Sequence, residues 1–392
     1  MNANRTALTI LVIALVSAAA IIYFPSEKTP ALFPGLRYLI AGENTAAYTD
    51  SQLKFCADQP QPSGASARCF RSLGEAFAAQ LPFREIVSAL KSTGQDCHIA
   101  MHYIVNAEYK NGADLLDIWN ECDTTCFGAC YHGGLEGLLE RENLHGADED
   151  AVSAYLKNLC DSVKDKYPKL EYQCYHGIGH ALMLLTEGDL PQSLSMCDSL
   201  IQNNQSRKCY EGVFMENLPT VSTAEHAPKF IKADDPLYPC NTIDARFAAE
   251  CYAFQVSYFR FLAKGDLMKT AEYCRLVPKQ HQEGCFEQIG MLIAGSNTDY
   301  AVWNQMCAGM PDDEARQSCM FGGTTFFVDR FPGNVERLLG VFQYCSAVDN
   351  QYKKVCYARG GQILRQFADE TAVSSACANL PELDYQDECL GV

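Results

Sequence analysis

Basic residues are scarce in this chain. It has 31 lysines and arginines against 48 aspartates and glutamates, which leaves a formal charge of −17 and a pI of about 4.9. Proteins that bind nucleic acid take much of their affinity from basic side chains that contact phosphates. The acidic balance therefore argues against nucleic acid as a partner.

The sequence signatures of several common enzyme classes are also missing. The chain has no glycine-rich phosphate loop ahead of a helix, no GxSxG nucleophile elbow and no CxxCH haem-attachment sequence. Any chemistry that the protein performs must therefore rest on another arrangement of side chains.

A hydrophobic run occupies residues 7–24 and is interrupted only by Thr9 and Ser17. Its length is about that needed to cross a bilayer as a helix, and Arg5 with the α-amino group favours a cytosolic N-terminus. We expect a cytoplasmic segment at 1–6, a transmembrane signal-anchor at 7–24, and a bulk that is extracytoplasmic, in a periplasm, cell surface or secretory lumen. Small residues at Ser17–Ala20 leave a cleaved signal peptide as the alternative, and both versions export the chain.

Twenty cysteines recur along the chain at nearly regular spacing. This number suits an oxidising compartment, and the even count fits ten disulfides. Eight predicted disulfides join cysteines 11 to 14 residues apart: Cys56–Cys69, Cys160–Cys174, Cys197–Cys209, Cys240–Cys251, Cys274–Cys285, Cys307–Cys319, Cys345–Cys356 and Cys377–Cys389.

Four further cysteines depart from this spacing. Cys122 and Cys130 take the two repeat positions with a shorter loop, which leaves Cys97 to pair with Cys126. Spacing alone leaves the other pairings open. The functional alternative is an iron–sulfur or zinc site at the CxxxCxxxC run.

The cysteine period predicts the fold. From Cys174 to Cys389 the second cysteine of each pair recurs every 33 to 42 residues, which is typical of stacked helical hairpins. Each unit is predicted to be helix, turn, helix and bridged loop. In turns such as Gly265-Asp266, glycine can end one helix and aspartate can cap the next.

The segment from Gly265 to Tyr273 resembles the second-helix entry of tetratricopeptide-type repeats. This resemblance is architectural; it implies a right-handed α-solenoid and no particular function. We therefore expect an all-α fold, an α-solenoid of disulfide-stapled helical hairpins over residues 51–392, which a linker at 25–50 joins to the N-terminal transmembrane helix.

Five of the eight histidines follow a cysteine that begins the first helix of a repeat. Two candidate ligands four residues apart lie on one helix face, as in paired histidines that chelate a metal. First helices of neighbouring repeats stack about 8–10 Å apart, so the pairs are expected to converge. The three pairs are His98 and His102, His132 and Glu136, and His176 and His180.

Later repeats keep the cysteines but lose the histidines. At the same two offsets they carry, for example, Ala253 and Ser257. Packing of the repeat therefore does not require imidazole there. The pair at His98 lies one residue earlier relative to its cysteine than the other two pairs, which weakens the comparison.

Five imidazoles and a carboxylate suit zinc, copper or iron better than calcium or magnesium. Glu136 is expected to be a ligand or a catalytic base, and Glu211 and Glu216 to complete the shell or orient a histidine. Gly133, Gly134, Gly177 and Gly179 are expected to allow close approach of a neighbouring helix, a metal or a ligand.

The functional hypothesis is a membrane-anchored, extracytoplasmic metal-binding protein that is either non-catalytic or a redox or hydrolytic metalloenzyme. The alternatives are that the histidines merely cap helices or form hydrogen bonds, and that the solenoid is a non-enzymatic scaffold for a peptide or envelope protein.

Overall fold

The computed structural model describes residues 45–59, 65–92, 97–122, 125–142, 144, 148–166, 170–200, 206–218, 228–296, 299–330, 338–365 and 368–391. Within these residues the protein is all-helical, with twenty α-helices and no strand. In chain order the helices are α1 Thr45–Ala57, α2 Ala65–Gln80, α3 Phe83–Lys91, α4 His98–Lys110, α5 Leu115–Glu121, α6 Ala129–Arg141, α7 Glu149–Lys166, α8 Glu171–Leu185, α9 Leu190–Leu200, α10 Ser206–Glu216, α11 Ala248–Phe254, α12 Val256–Leu262, α13 Leu267–Leu276, α14 Lys279–Ser296, α15 Tyr300–Ala308, α16 Asp313–Arg330, α17 Gly340–Ala347, α18 Asn350–Arg365, α19 Glu370–Ala378 and α20 Leu383–Leu390.

The turns between paired helices use glycine and aspartate as expected. Gly265 adopts a positive φ of 83° after α12, a conformation that costs glycine little. The side chain of Asp266 then accepts hydrogen bonds from the backbone N–H groups of Met268 and Lys269 and so caps α13. Each hairpin therefore has a defined end and a defined start.

One row of helices runs through the whole described repeat region. In order, α2, α4, α6, α8, α10, α11, α14, α16, α18 and α20 each pack against the next member of this row. The remaining helices pack beside them as the second layer of each hairpin. This arrangement is consistent with an α-solenoid-like helical repeat, in which a helix buries its apolar face against its neighbours.

Facing glycines bring some helices of this row into backbone contact. A Cβ atom at Gly179 in α8 would lie 2.1 Å from the carbonyl oxygen of Cys209 in α10. Equally, a Cβ atom at Gly212 would lie 2.1 Å from the carbonyl oxygen of His176. No side chain fits at such distances, so these two glycines set the separation of α8 and α10.

All twenty cysteines are bonded, and the pairs are those that the sequence analysis proposes, including Cys97–Cys126 and Cys122–Cys130, for which spacing left other pairings open. No thiolate is therefore left for a metal or cluster at the CxxxCxxxC run. Each bridge joins cysteines between 8 and 29 residues apart, so each acts locally. The disulfides are Cys56–Cys69, Cys97–Cys126, Cys122–Cys130, Cys160–Cys174, Cys197–Cys209, Cys240–Cys251, Cys274–Cys285, Cys307–Cys319, Cys345–Cys356 and Cys377–Cys389.

One repeat departs from the predicted helix, turn and helix. Residues 228–244, ahead of α11, contain turns and no α-helix. Pro236 and Pro239 lack the N–H that an α-helix would use, and the side-chain amide of Gln255 donates to the carbonyl oxygens of Pro236 and Tyr238. Side-chain hydrogen bonds thus hold this segment where helical ones are missing.

The N-terminal predictions fall largely outside this part of the chain. The cytoplasmic segment at 1–6 and the transmembrane segment at 7–24 lie outside the described residues. No helix in the described ranges has the length and apolar character needed to cross a membrane. The first described helix begins at Thr45, inside the segment that the sequence analysis treats as a linker.

Candidate metal centre

Histidine and glutamate side chains from four neighbouring helices meet on the row that α4, α6, α8 and α10 form. Each helix contributes two of them, one to each of two lines that cross the row. We call these eight residues the His–Glu cluster. The first line is His98, His132, His176 and Glu211, and the second is His102, Glu136, His180 and Glu216.

Ring contacts connect the first line. The ring centroids of His98 and His132 are 6.0 Å apart, and those of His132 and His176 are 4.6 Å apart. His176 Nδ1 lies 3.8 Å from Glu211 Oε2, which is an ion-pair distance but too long for a hydrogen bond. The line therefore extends from α4 to α10, although its ends are 113 residues apart in numbering (211 − 98).

The second line alternates imidazole and carboxylate. His102 Nδ1 lies 2.7 Å from Glu136 Oε1, and His180 Nδ1 lies 2.5 Å from Glu216 Oε1. An ionised carboxylate accepts from Nδ1–H, and in a neutral ring this leaves the Nε2 lone pair available, as in carboxylate–histidine–metal triads.

His98 is oriented in the same way by the backbone. Its Nδ1 lies 2.9 Å from the carbonyl oxygen of Cys126, which can only accept a hydrogen bond. The Cys97–Cys126 disulfide holds that carbonyl next to the start of α4. A disulfide in this repeat thus helps to set the orientation of a histidine ring.

Three ring nitrogens in the cluster are buried and, among the described residues, have no hydrogen-bond partner. They are Nε2 of His102, Nδ1 of His132 and Nδ1 of His176. These three residues are 8%, 3% and 5% exposed. Leaving a buried polar atom unsatisfied costs about 1–3 kcal/mol, so three in one place mark the cluster as a candidate binding site.

Three overlapping groups in the cluster could hold a metal ion. Within each group the ligand atoms all lie within 4.8 Å of one another. His176 Nε2 and His180 Nε2 are 3.2 Å apart, close to the edge of about 3.3 Å expected for a tetrahedral zinc site with Zn–N bonds of about 2.0–2.1 Å. The groups are His98, His102 and His132; His132, His176 and His180; and Glu136, His180 and Glu216.

Burial controls the charge state of the histidines. It lowers the pKa of His132 and of His180 well below the ordinary value, and the neighbouring histidines lower both pKa values further. Burial also opposes protonation of His102, but the Glu136 carboxylate outweighs burial and raises its pKa. His132 and His180 are therefore neutral at neutral pH, which is the form that binds metals.

The pKa values of two glutamates in the cluster shift in opposite directions, although burial acts on both. Burial raises the pKa of Glu216 above its ordinary value, and Glu136 adds to the effect while His102 opposes it. Burial acts the same way on Glu211, but His176 and Lys208 outweigh it and lower its pKa. Lys208 Nζ lies 2.7 Å from Glu211 Oε1, so this carboxylate already has a counter-charge.

Glycines place the histidine-bearing helices in contact. A Cβ atom at Gly133 would lie 2.4 Å from the carbonyl oxygen of His102, which brings α6 against α4 next to the cluster. At Gly134 and Gly177 the same atom would lie 2.4 and 2.6 Å from leucine side chains of other helices. The predicted close approach is therefore confirmed, with neighbouring helices as the partners, and Gly179 meets α10 in the same manner.

The structure brings all six predicted ligands and both predicted supporting glutamates into this cluster. Of these two glutamates, only Glu216 belongs to a candidate ligand group. The sequence analysis missed one contact, in which Gln173 Oε1 lies 3.3 Å from His132 Nε2. Gln173 directly precedes Cys174 and does not follow the four-residue spacing, so no pattern in the sequence marks it.

Comparisons with protein-family models, curated proteins and solved structures found no match.

Proposed function

We propose that this protein binds a transition-metal ion through the His–Glu cluster and does so outside the reducing cytosol. The observation that carries the proposal is the set of three buried ring nitrogens, on His102, His132 and His176, that form no hydrogen bond among the described residues. Metal coordination would satisfy nitrogens that receive no hydrogen bond from the described residues.

The donor set favours zinc, copper or iron. Five imidazoles dominate the cluster, and imidazole nitrogen suits these metals, whereas calcium and magnesium prefer all-oxygen surroundings. The hydrogen bonds from His102 to Glu136 and from His180 to Glu216 support the same conclusion, because metal-bound histidines usually donate their second N–H to a carboxylate.

Ten disulfides support the compartment in this proposal, since thiols are kept reduced in most cytosols. We propose that the segment at 7–24 anchors the repeat domain to a membrane and leaves the cluster on the extracytoplasmic side. The partner on that side is proposed to be a small ligand of the ion or, in the scaffold alternative, a peptide or envelope protein.

The proposal extends to a catalytic role for the bound ion. Glu136 contacts His102 through Oε1, and its second oxygen is the candidate base for water activation if the ion is zinc. With copper or iron the supported class is a redox reaction. The sequence and the geometry support hydrolytic and redox chemistry equally.

Elemental analysis of the purified full-length protein tests the proposal. We expect at least one zinc, copper or iron ion per chain, and at least one ion fewer in a His132→Ala, His176→Ala double variant. His281→Ala is the matched control, because His281 stacks on Tyr252 outside the cluster and should leave metal content unchanged. A wild-type protein that neither contains nor takes up these metals would overturn the proposal.

Partner binding, measured on the same proteins, distinguishes the scaffold alternative from the metal proposal. A scaffold that binds a peptide along the helix row keeps its partner when the metal is stripped and when the two histidines are replaced. The metal proposal predicts that both changes alter whatever the cluster binds.

A further inference from the structure

We infer that the His–Glu cluster holds two metal ions, with the second at Glu136, His180 and Glu216. This inference rests on the proposed function and goes beyond it, because a single ion bound by histidines would satisfy that proposal. It assigns the two carboxylates a direct role as ligands in addition to their contact with histidine, so that with two ions bound Glu136 is a ligand and not the candidate base.

The candidate ligand groups can be divided without sharing a residue. His98, His102 and His132 form one group, and Glu136, His180 and Glu216 form another, each with its ligand atoms within 4.8 Å of one another. The third group reuses His132 and His180 and therefore lies between them. Two complete triads side by side are more donors than one ion requires.

The carboxylates retain free donor atoms after their contacts with histidine. Glu136 and Glu216 each accept from a histidine through Oε1, and a carboxylate has a second oxygen with its own lone pairs. A carboxylate can therefore orient one imidazole and bind an ion at once. The second site would then offer oxygen and nitrogen together, whereas the first offers three nitrogens.

His176 is a further candidate ligand beside this second site, through its contact with His180. It is 5% exposed, its Nδ1 has no hydrogen-bond partner among the described residues, and its Nε2 lies 3.2 Å from Nε2 of His180. That distance fits either a hydrogen bond between the two rings or a shared ion. A metal ion bound to Nε2 of His180 would replace the hydrogen bond and could take Nε2 of His176 as a further ligand.

Charge balance favours a second cation. Glu211 is paired with Lys208, but in the described part of the chain neither Glu136 nor Glu216 has a lysine or arginine at ion-pair distance. Both carboxylates are largely shielded from solvent, with side chains 16% and 26% exposed. Each has a histidine as its ion-pair partner, and a histidine that binds a metal is neutral, so with the histidines metal-bound these carboxylates need another cation.

The mixed donor set indicates the class of ion. Two carboxylates and one or two imidazoles suit zinc, iron or manganese, whereas a site of three imidazoles suits zinc or copper. Because the sites differ in donors, we expect them to fill in sequence as metal is added, with one ion bound more tightly than the other.

Stoichiometry tests the inference. Full-length protein that has been stripped of metal and is then titrated with Co²⁺ should bind two ions per chain. Calorimetry and the visible absorption of bound cobalt measure this binding. Glu216→Gln should bind one. Glu287→Gln is the matched control, since Glu287 lies on α14 of the same row and contacts Thr325 and Arg359 instead of a histidine; it should bind two.

Each other outcome is decisive. One ion in wild type and one in Glu216→Gln overturns the second site and leaves the proposed function intact, whereas no ion in wild type overturns both. Loss of both ions in Glu216→Gln, with helical content unchanged by circular dichroism, also overturns the inference, because Glu216 would then only support the histidine-bound ion.

A measurement on the unaltered protein covers the case in which the variant fails to fold. With one equivalent of Cu²⁺ the paramagnetic resonance spectrum should be that of an isolated ion, and with two equivalents it should be broadened by coupling between neighbouring ions. An isolated-ion spectrum at both loadings overturns the inference.

Discussion

Glu136 on α6 accepts a 2.7 Å hydrogen bond from Nδ1 of His102 on α4, so a carboxylate of one repeat orients an imidazole of the repeat before it. His180 and Glu216 repeat this relationship between α8 and α10. In each pair the helix nearer the C-terminus supplies the hydrogen-bond acceptor, so both pairs have the same orientation along the row of helices.

Replacing Glu136 by glutamine should weaken metal binding. The amide retains the size of the side chain but removes the charge that holds Nδ1–H of His102, and losses of such partners typically cost about 10- to 100-fold in metal affinity. Competition titration against a coloured chelator measures the change. Glu142→Gln, an exposed carboxylate paired with Arg141, should leave the affinity unchanged, and equal affinities in all three proteins would contradict the prediction.

Removing the metal should destabilise the fold. A ligand that binds only the folded state contributes about 2.7 kcal/mol when its free concentration is 100 times the dissociation constant. Thermal unfolding with and without chelator should therefore show a lower midpoint for the stripped protein. The difference should be smaller in the His132→Ala, His176→Ala variant, which keeps the ligands of the inferred second ion, and a chelator effect of equal size there would show that the metal acts elsewhere.

Gly179→Ala should destabilise the protein by about 1–3 kcal/mol, the usual cost of forcing atoms into a packed interface. The new Cβ atom would lie 2.1 Å from the carbonyl oxygen of Cys209 and would push α8 away from α10. Because His180 and Glu216 lie on these two helices, metal affinity should fall as well.

Gly284→Ala is the control for that substitution. Gly284 lies within α14, and a Cβ atom there would meet Ala253 at an ordinary distance of 3.7 Å. Alanine is the better helix former by about 0.5–1 kcal/mol, so this variant should be slightly more stable in denaturant unfolding. Equal effects of the two substitutions would contradict the account of close helix approach.

Two disulfides of similar loop length should differ in their effect on the metal site. Replacing Cys160 and Cys174 by serine, or Cys377 and Cys389 by serine, opens a bridge between cysteines 14 or 12 residues apart, and each loss should cost about 2–4 kcal/mol. Only the first pair should also reduce metal affinity, because Cys174 lies two residues before His176 on α8. Equal metal affinities in the two variants would contradict this expectation.

Much of the architecture could be predicted because it depends on covalent spacing. A pair such as Cys274 and Cys285 must lie within bonding distance, and its recurrence indicates the repeat. The period also indicated the exception: the 42-residue step from Cys209 to Cys251 is the longest, and it contains the described residues 228–244, which form turns and no α-helix.

The ligand pairs could be proposed from four-residue spacing because that spacing fixes a helix face. The contacts between helices could not be predicted, because they depend on how closely the backbones approach. Gly212 looks like any helical glycine in the sequence, yet it determines how near Glu216 comes to His180. Gln173 follows no periodic pattern, so its contact with His132 appears only in three dimensions.

The contrast between the ten bridges and the His–Glu cluster has a mechanical consequence. Every bridge joins segments that are close in the chain, so the packing of one repeat on the next depends on noncovalent contacts. Ions bound by side chains of α4, α6, α8 and α10 would fix the relative positions of these four neighbouring helices. The described helices from α11 onward offer no such ligand group, so metal binding would not restrict them in this way. Metal binding would thus reduce motion between the repeats that carry the His–Glu cluster and leave motion between the later repeats unchanged.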